Sequence, residues 1–278
     1  MTQSRSSFRT PVASALRNAR YLFADLAGRL SGRADALTPP ARLVARAGGC
    51  DFHQVGQDLL RVLVDRGGLQ PTARVVDIGC GAGRVALPLT KVLIPPGRYE
   101  GLDVDREAID WCRTAISPLY PAFRFTFADV HNEEYNPNGP VDAASFRFPY
   151  PDSSFNFAVA TSLFTHLLPS DLANYLQETS RVLAPGGTLV ATFFLLNEES
   201  LTLQASGASM LVFAHQAQRC RLLKRSAPAA AVAYDEHDVA DLLRQGRLAP
   251  LGPTAYGAWC GRPEFYSFQD VIVAARVG

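Results

Sequence analysis

From Arg74 to Leu195 the chain alternates short apolar runs with segments of helical periodicity, and this alternation leaves few folds open. Strand-like runs fall at 74–78, 99–104, 123–128, 155–161 and 187–195, and helical segments at 84–93, 106–117 and 170–183. Strands separated by helices of this length imply βαβ units, hence a mainly parallel sheet covered on both faces. The end of the chain departs from this rule. Two strand-like runs, 248–256 and 269–277, are joined by a short Gly/Pro-containing segment with no room for a crossover helix. They are expected to close the sheet as an antiparallel pair. The predicted fold is a doubly wound, mainly parallel α/β sheet of seven strands with the last one antiparallel.

Helical spacing also covers 12–30, closed by Ser31-Gly32, and 51–66, closed by Gly67-Gly68. Residues 1–50 read as a helical extension and 51–278 as one α/β domain. Two connections, 130–154 and 196–234, are too long for a minimal alternating sheet. Both leave the carboxyl ends of strands, where open α/β sheets bind ligands. The first is expected to wall a substrate site, and the second to form a lid.

Composition narrows the function classes. A net charge of +1 gives no overall field towards nucleic acid or an anionic membrane, and no apolar run approaches membrane-helix length. Five cysteines without a CxxC pair argue against a disulfide framework or a zinc site and fit a reducing cytoplasm. Arginine far outnumbers lysine (Lys91 and Lys224), but the arginines are scattered and read as genome composition. Asp152 and Asp171 are explained as a turn residue and a helix-start acid, so no metal is expected.

The segment 75–92 is a strand, a loop with Gly79, Gly81 and Gly83, and a helix start. Glycines let the backbone turn sharply and approach a ligand, and the helix start offers unpaired N–H groups. Such a loop alone is weak evidence. Its spacing is G-x-G-x-G, with Arg84 where a dinucleotide fingerprint needs its third glycine. Asp77 also precedes the first glycine by two; a carboxylate there repels pyrophosphate but accepts hydrogen bonds from a cationic ligand or orients loop amides. Asp103 closes the second strand, where a carboxylate takes both hydroxyls of a ribose; Asp105 is the alternative for that role. Asp129 closes the third strand, where its side chain or the Val130 amide can meet an adenine edge.

Over roughly residues 50–195 the sequence resembles the class I S-adenosylmethionine (SAM)-dependent methyltransferases. VVDIGCGAGR (75–84) matches the family's first motif, GLDVD (101–105) the second-strand acid and FADV (127–130) the third-strand site. SFNFAVATSLFTHL (154–167) is similar to the fourth-strand motif and RVLAPGG (181–187) to the turn into strand five; Asn156 replaces the family's usual acid. The tail YGAWCGR…FQDVIV also resembles part of a bacterial subgroup. The resemblance implies SAM as cofactor, with S-adenosylhomocysteine (SAH) as product. It implies a cofactor set of Asp77, Gly79, Cys80, Gly81, Arg84, Asp103, Val104, Asp129, Val130 and Thr161.

Methyl transfer from a sulfonium is an in-line displacement, so the protein mainly positions the reactants. A hydroxyl acceptor also needs its proton removed, for which histidine suits neutral pH. His166, shortly after strand four, is the first candidate base and His131 the second. Tyr150, Phe164, Tyr256, Trp259 and Arg262 are candidate acceptor contacts, with Trp259 expected to be exposed and Arg262 to meet a carboxylate or phosphate. The expected reaction is methylation at oxygen or nitrogen of a small molecule of secondary or saccharide metabolism. A nucleic-acid acceptor is disfavoured by the lack of a basic stripe, and a non-catalytic SAM-binding module by the intact motifs. No membrane partner is expected, while a homodimer is open through the 12–30 stripe.

Overall fold

The computed structural model describes residues 21, 37–49 and 51–278. Apart from Tyr21, the helix expected over 12–30 lies outside the described residues, as does Cys50. Short helix α1 (Ala41–Arg46) precedes α2 (Phe52–Asp65), whose first turn is capped by the Asp51 side chain. The main sheet follows with β1 (Arg74–Ile78), β2 (Arg98–Asp103), β3 (Phe123–Phe127), β4 (Phe155–Ala160) and β5 (Leu183–Phe193). Its helices include α3 (Ala86–Leu89), α4 (Arg106–Ala115) and α5 (Pro169–Val182). After β5 the chain forms β6 (Leu195–Leu196), α6 (Glu198–Ala205), β7 (His215–Ala217), β8 (Cys220–Leu222) and β9 (Val232–Asp235). It then returns through α7 (Glu236–Gln245) to β10 (Leu248–Pro250) and β11 (Asp270–Arg276).

The seven-stranded sheet runs β3-β2-β1-β4-β5-β11-β10. The first five strands are parallel, and β11 is antiparallel to both β5 and β10. Burial on both faces explains the absence of polar alternation: Val75 and Val76 are each 0% exposed, yet they belong to opposite apolar layers. One layer contains residues of α2, α3 and α4, and the other contains residues of α5 and α7. The strand order reverses at β1 and β4, which places the ligand edge at their carboxyl ends. Asn156 has a structural task here, since its Oδ1 accepts the Arg74 N–H at 2.7 Å and pins the start of β1 to β4.

Three local expectations need correction. The helix expected at 84–93 shrinks to α3. Pro88 lacks an N–H and confines helix to its own first turn, and Pro95-Pro96 drives the preceding residue out of the helical region. The strand expected at 248–256 stops at Pro250, because Pro253 cannot donate to a ladder and Gly252 takes a φ of 104°. Finally, 196–234 is not a bare lid. It carries α6 and a four-stranded sheet, β6-β9-β8-β7, over an apolar cluster of its own that includes Phe194, Phe213 and Trp259.

Candidate functional site

The loop after β1 is held open by its glycines. Gly81 has a φ of 52°, and its N–H donates to Asp103 Oδ2 at 2.6 Å, joining the ends of β1 and β2. Gly83, at φ 80°, holds a backbone conformation strained for any residue with a side chain, and a Cβ there would also press on Ile116 Cδ1 at 2.7 Å. Cys80 is buried beside the loop, with its thiol towards the Gly81 carbonyl, and Arg84 donates to the Ala47 carbonyl at 2.8 Å. Arg84 thereby ties the loop to the segment after α1.

Asp77 lies under this loop, 1% exposed. Its Oδ2 accepts the Tyr99 hydroxyl at 2.5 Å, whereas its Oδ1 is buried without a hydrogen-bond partner among the described residues. Burial pushes the Asp77 carboxyl up to about 7 against the pull of the Tyr99 hydroxyl, and nearby Asp103 adds to the rise. Asp103, half-buried, accepts the Gly81 N–H and, at 2.8 Å, the Asp105 N–H; burial still lifts it to about 6. Asp105 is committed elsewhere. It caps α4 by accepting from Glu107 and Ala108 N–H groups and pairs with Arg46 at 2.9 Å. Val104 is half-buried, Thr161 and Val130 are buried, and Asp129 is exposed with its Oδ1 held by Asn136 Nδ2 at 3.0 Å.

The two candidate bases sit differently. His166 is exposed after β4, and its Nδ1 lies 2.9 Å from the Ala229 carbonyl. A carbonyl only accepts, so Nδ1 donates its N–H there, which leaves Nε2 as the lone-pair nitrogen of the neutral tautomer. His131 is exposed on the β3–β4 connection, beside a groove of about 330 Å³ that is also lined by Asp142 and Asp171.

Several proposed acceptor contacts belong to the interior. Phe164 is 0% exposed and packs on Phe193 at 5.4 Å between ring centroids. Trp259, expected outside, is also 0% exposed; its indole N–H donates to Asp270 Oδ2 at 2.7 Å. The Arg262 side chain is 2% exposed, pairing with Asp270 at 3.0 Å and Glu199 at 2.8 Å, and so has no face for a substrate anion. Its guanidinium lies over the Tyr256 ring, 4.6 Å from the centroid, and the half-buried Tyr256 donates its hydroxyl to Glu236 at 2.6 Å. Tyr150 is half-buried, edge-on to Phe155 at 5.0 Å. The reason is common to Trp259 and Arg262: the region after β5 builds a second core against the loop that carries them.

Other residues near this edge escaped the sequence reading. Tyr135 lies within electrostatic reach of Asp103, Asp105 and Arg46, on a connection already marked as a ligand wall. Ser162, Thr192 and Gln269 form one hydrogen-bonded cluster. No spacing rule joins residues 107 positions apart in sequence, as Ser162 and Gln269 are.

Among the described residues, no group of three or more His, Cys, Asp or Glu is arranged to hold a metal ion, and no helix is long and apolar enough to cross a membrane. Residues 76–191, from β1 through most of β5, match the family described as a methyltransferase domain. A tRNA N(3)-cytidine methyltransferase of Gallus gallus is 27% identical over 51% of this chain and 35% of its own length. A fatty-acid O-methyltransferase of Mycolicibacterium smegmatis is 30% identical over 43% of this chain and 36% of its own length. The chain thus spans about a third of the length of the curated relatives it matches. A SAM-dependent methyltransferase structure from Methanosarcina mazei superposes with a TM-score of 0.52 at 21% identity, covering 77% of this chain and 97% of that one. Sheet order and family match agree: residues 76–191 carry a methyltransferase domain, and the fold is similar to that of a SAM-dependent methyltransferase structure.

Proposed function

We propose that the chain transfers the methyl group of SAM to an oxygen or nitrogen of a small-molecule acceptor. One observation carries the cofactor part. At the end of β1 a buried carboxylate oxygen, Asp77 Oδ1, has no partner among the described residues, and next to it Asp103 ties the glycine loop to β2. An unpaired buried acceptor is costly, and a cationic donor such as an amino acid ammonium relieves it. Asp77, Gly79, Cys80, Gly81 and Arg84 are assigned to the methionine portion, Asp103 to the ribose, and Val104, Asp129 and Val130 to the adenine side, with Thr161 beneath. SAM supplies a methyl already activated on sulfur, so the chain's contribution is alignment and removal of a proton from the acceptor. His166 Nε2 takes that role, because the Ala229 carbonyl fixes the tautomer that leaves this nitrogen basic. His131 is the reserve candidate.

Calorimetry with SAH tests the reading, and binding of NAD in place of SAH overturns it. The pH dependence sharpens the test. Asp77 and Asp103 hold their protons up to about 7 and about 6 in the free chain. Folding therefore favours their neutral forms, and their contribution to stability is lost as pH rises from the ordinary carboxylate range, about 4, through those values. An ammonium beside Asp77 and hydroxyl donors on Asp103 favour the charged forms. SAH binding should then release protons at about pH 6.5, and its Kd should tighten as pH rises from about 5.5 to about 7.5. A flat profile, or proton uptake, removes both carboxylates from the ligand.

His166→Ala should lower turnover of a hydroxyl acceptor, which has a proton to lose, by about 10²-fold or more while SAH affinity stays within about twofold. Full turnover in that variant ends the assignment. A tRNA acceptor is the second reading, supported by the Gallus gallus relative. The near-neutral charge, +1, favours the small molecule. Binding of tRNA that weakens steeply with salt would reverse that preference.

A further inference from the structure

Three polar side chains that the cofactor assignment does not use meet at the carboxyl edge of β4 and β5. Ser162 leaves β4 with a φ of 54°, and its N–H donates to Thr192 Oγ1 at 2.7 Å. The hydroxyls of Ser162 and Thr192 both donate to Gln269 Oε1, at 3.0 and 2.6 Å. Gln269 immediately precedes β11, so the cluster spans three adjacent strands. It also adjoins the glycine loop. Leu163, next in sequence to Ser162, packs so closely on Gly79 that a Cβ there would meet its side chain at 3.2 Å.

The direction of these bonds fixes what Gln269 offers. Thr192 is 3% exposed, and its Oγ1 already accepts the Ser162 N–H. Its own proton finds an acceptor in Gln269 Oε1. Turning the amide over would put Nε2 there and leave a buried hydroxyl proton unpaired. The separation of 2.6 Å also suits O–H···O and is short for N–H···O. Oε1 is thus held inward by two donors. Nε2, a pure donor, faces away from the cluster and has no hydrogen-bond partner among the described residues, and Gln269 is only half-buried.

We infer that Gln269 Nε2 is a hydrogen-bond donor to the methyl acceptor and selects carboxylic acids and phenols over amines. The inference rests on the methyl-transfer reading. A carboxylate or phenol oxygen brings a lone pair to this N–H, whereas an amine at neutral pH is an ammonium with donors alone and is refused. Phe268, 50% exposed and edge-on to Phe194 with ring centroids 6.4 Å apart, gives the body of such an acceptor an apolar wall. In the reaction the acceptor oxygen bonds the methyl carbon, and the carbon–sulfur bond breaks with its electron pair left on sulfur. A phenol proton passes to His166 Nε2, while a carboxylate has no proton to lose.

The test supplies the full chain and methyl-labelled SAM with decanoate and 4-propylphenol, against decylamine and benzylamine. Label should enter at least one oxygen probe about tenfold or more faster than either amine. Gln269→Glu, which exchanges the donor for an acceptor of the same shape, should cut kcat/KM on that probe about tenfold, chiefly through KM. Gln269→Leu should do the same by deletion. Affinity for SAH should stay within about twofold in both variants, a readout that a purely structural role would move with the rest. The inference fails if amines are preferred, if no oxygen probe is labelled, if both variants keep wild-type KM, or if SAH affinity falls in parallel. Failure of the unaltered chain to bind SAH would instead strike the methyl-transfer reading itself.

Discussion

Replacing Asp103 by alanine is expected to weaken SAH binding by about 10²- to 10⁴-fold in calorimetry near neutral pH. The carboxylate has about four lone-pair sites, and two of them hold the Gly81 and Asp105 N–H groups. The others remain for the two ribose hydroxyls. Hydrogen bonds to a charged acceptor contribute about 1.5–3 kcal/mol each, so losing two gives the stated range. Release of the Gly81 N–H loosens the glycine loop and pushes in the same direction. Asp105→Ala is the matched control. Asp105 caps α4 and pairs with Arg46, so its loss should cost about 1 kcal/mol of stability and leave SAH affinity nearly intact. Equal loss of affinity in both variants would show that the two acids cannot be assigned separate roles. Retention of affinity in Asp103→Ala would remove that residue from the ribose.

The contrast between these two acids marks how far the sequence reaches. That an acid ends β2 is legible from the strand pattern alone. Which acid stays available is decided by the start of α4 and by Arg46, 59 residues away from Asp105. Strand identity was legible for a similar reason: Val75, Val76 and Ile78 are buried on a central strand, and a continuous apolar run carries that signal locally. The β10–β11 loop gave no such signal. Trp259 and Arg262 read as exposed because loops usually are, but residues from 194 to 233 build an apolar cluster against that loop. The tautomer of His166 depends on the Ala229 carbonyl, 63 residues on, and no local pattern encodes it.

Arg262→Ala is expected to be the most destabilising single change, costing about 3–5 kcal/mol in denaturant unfolding. Asp270 is 0% exposed and accepts from four groups: Leu195 N–H and Gly257 N–H, the Trp259 indole and Arg262. Three of these donors are neutral dipoles, so deleting the guanidinium leaves a buried carboxylate without its counter-charge. Glu199, 54% exposed at its side chain, also pairs with Arg262 but keeps access to water. Glu199→Ala should therefore cost no more than about 1 kcal/mol. The pair of variants separates a buried charge effect from a general loss of ion pairs, because one removes the arginine from both acids and the other removes only its exposed partner. If both variants unfold at the same denaturant concentration, the Arg262–Asp270 bond is not what holds this end of the molecule. The damage from Arg262→Ala should also reach the acceptor edge. Asp270 opens β11 directly after Gln269, and its carboxylate fixes the Leu195 N–H just beyond β5, the strand that carries Thr192. The edge proposed to meet the acceptor thus takes its geometry from the buried Arg262–Asp270 ion pair.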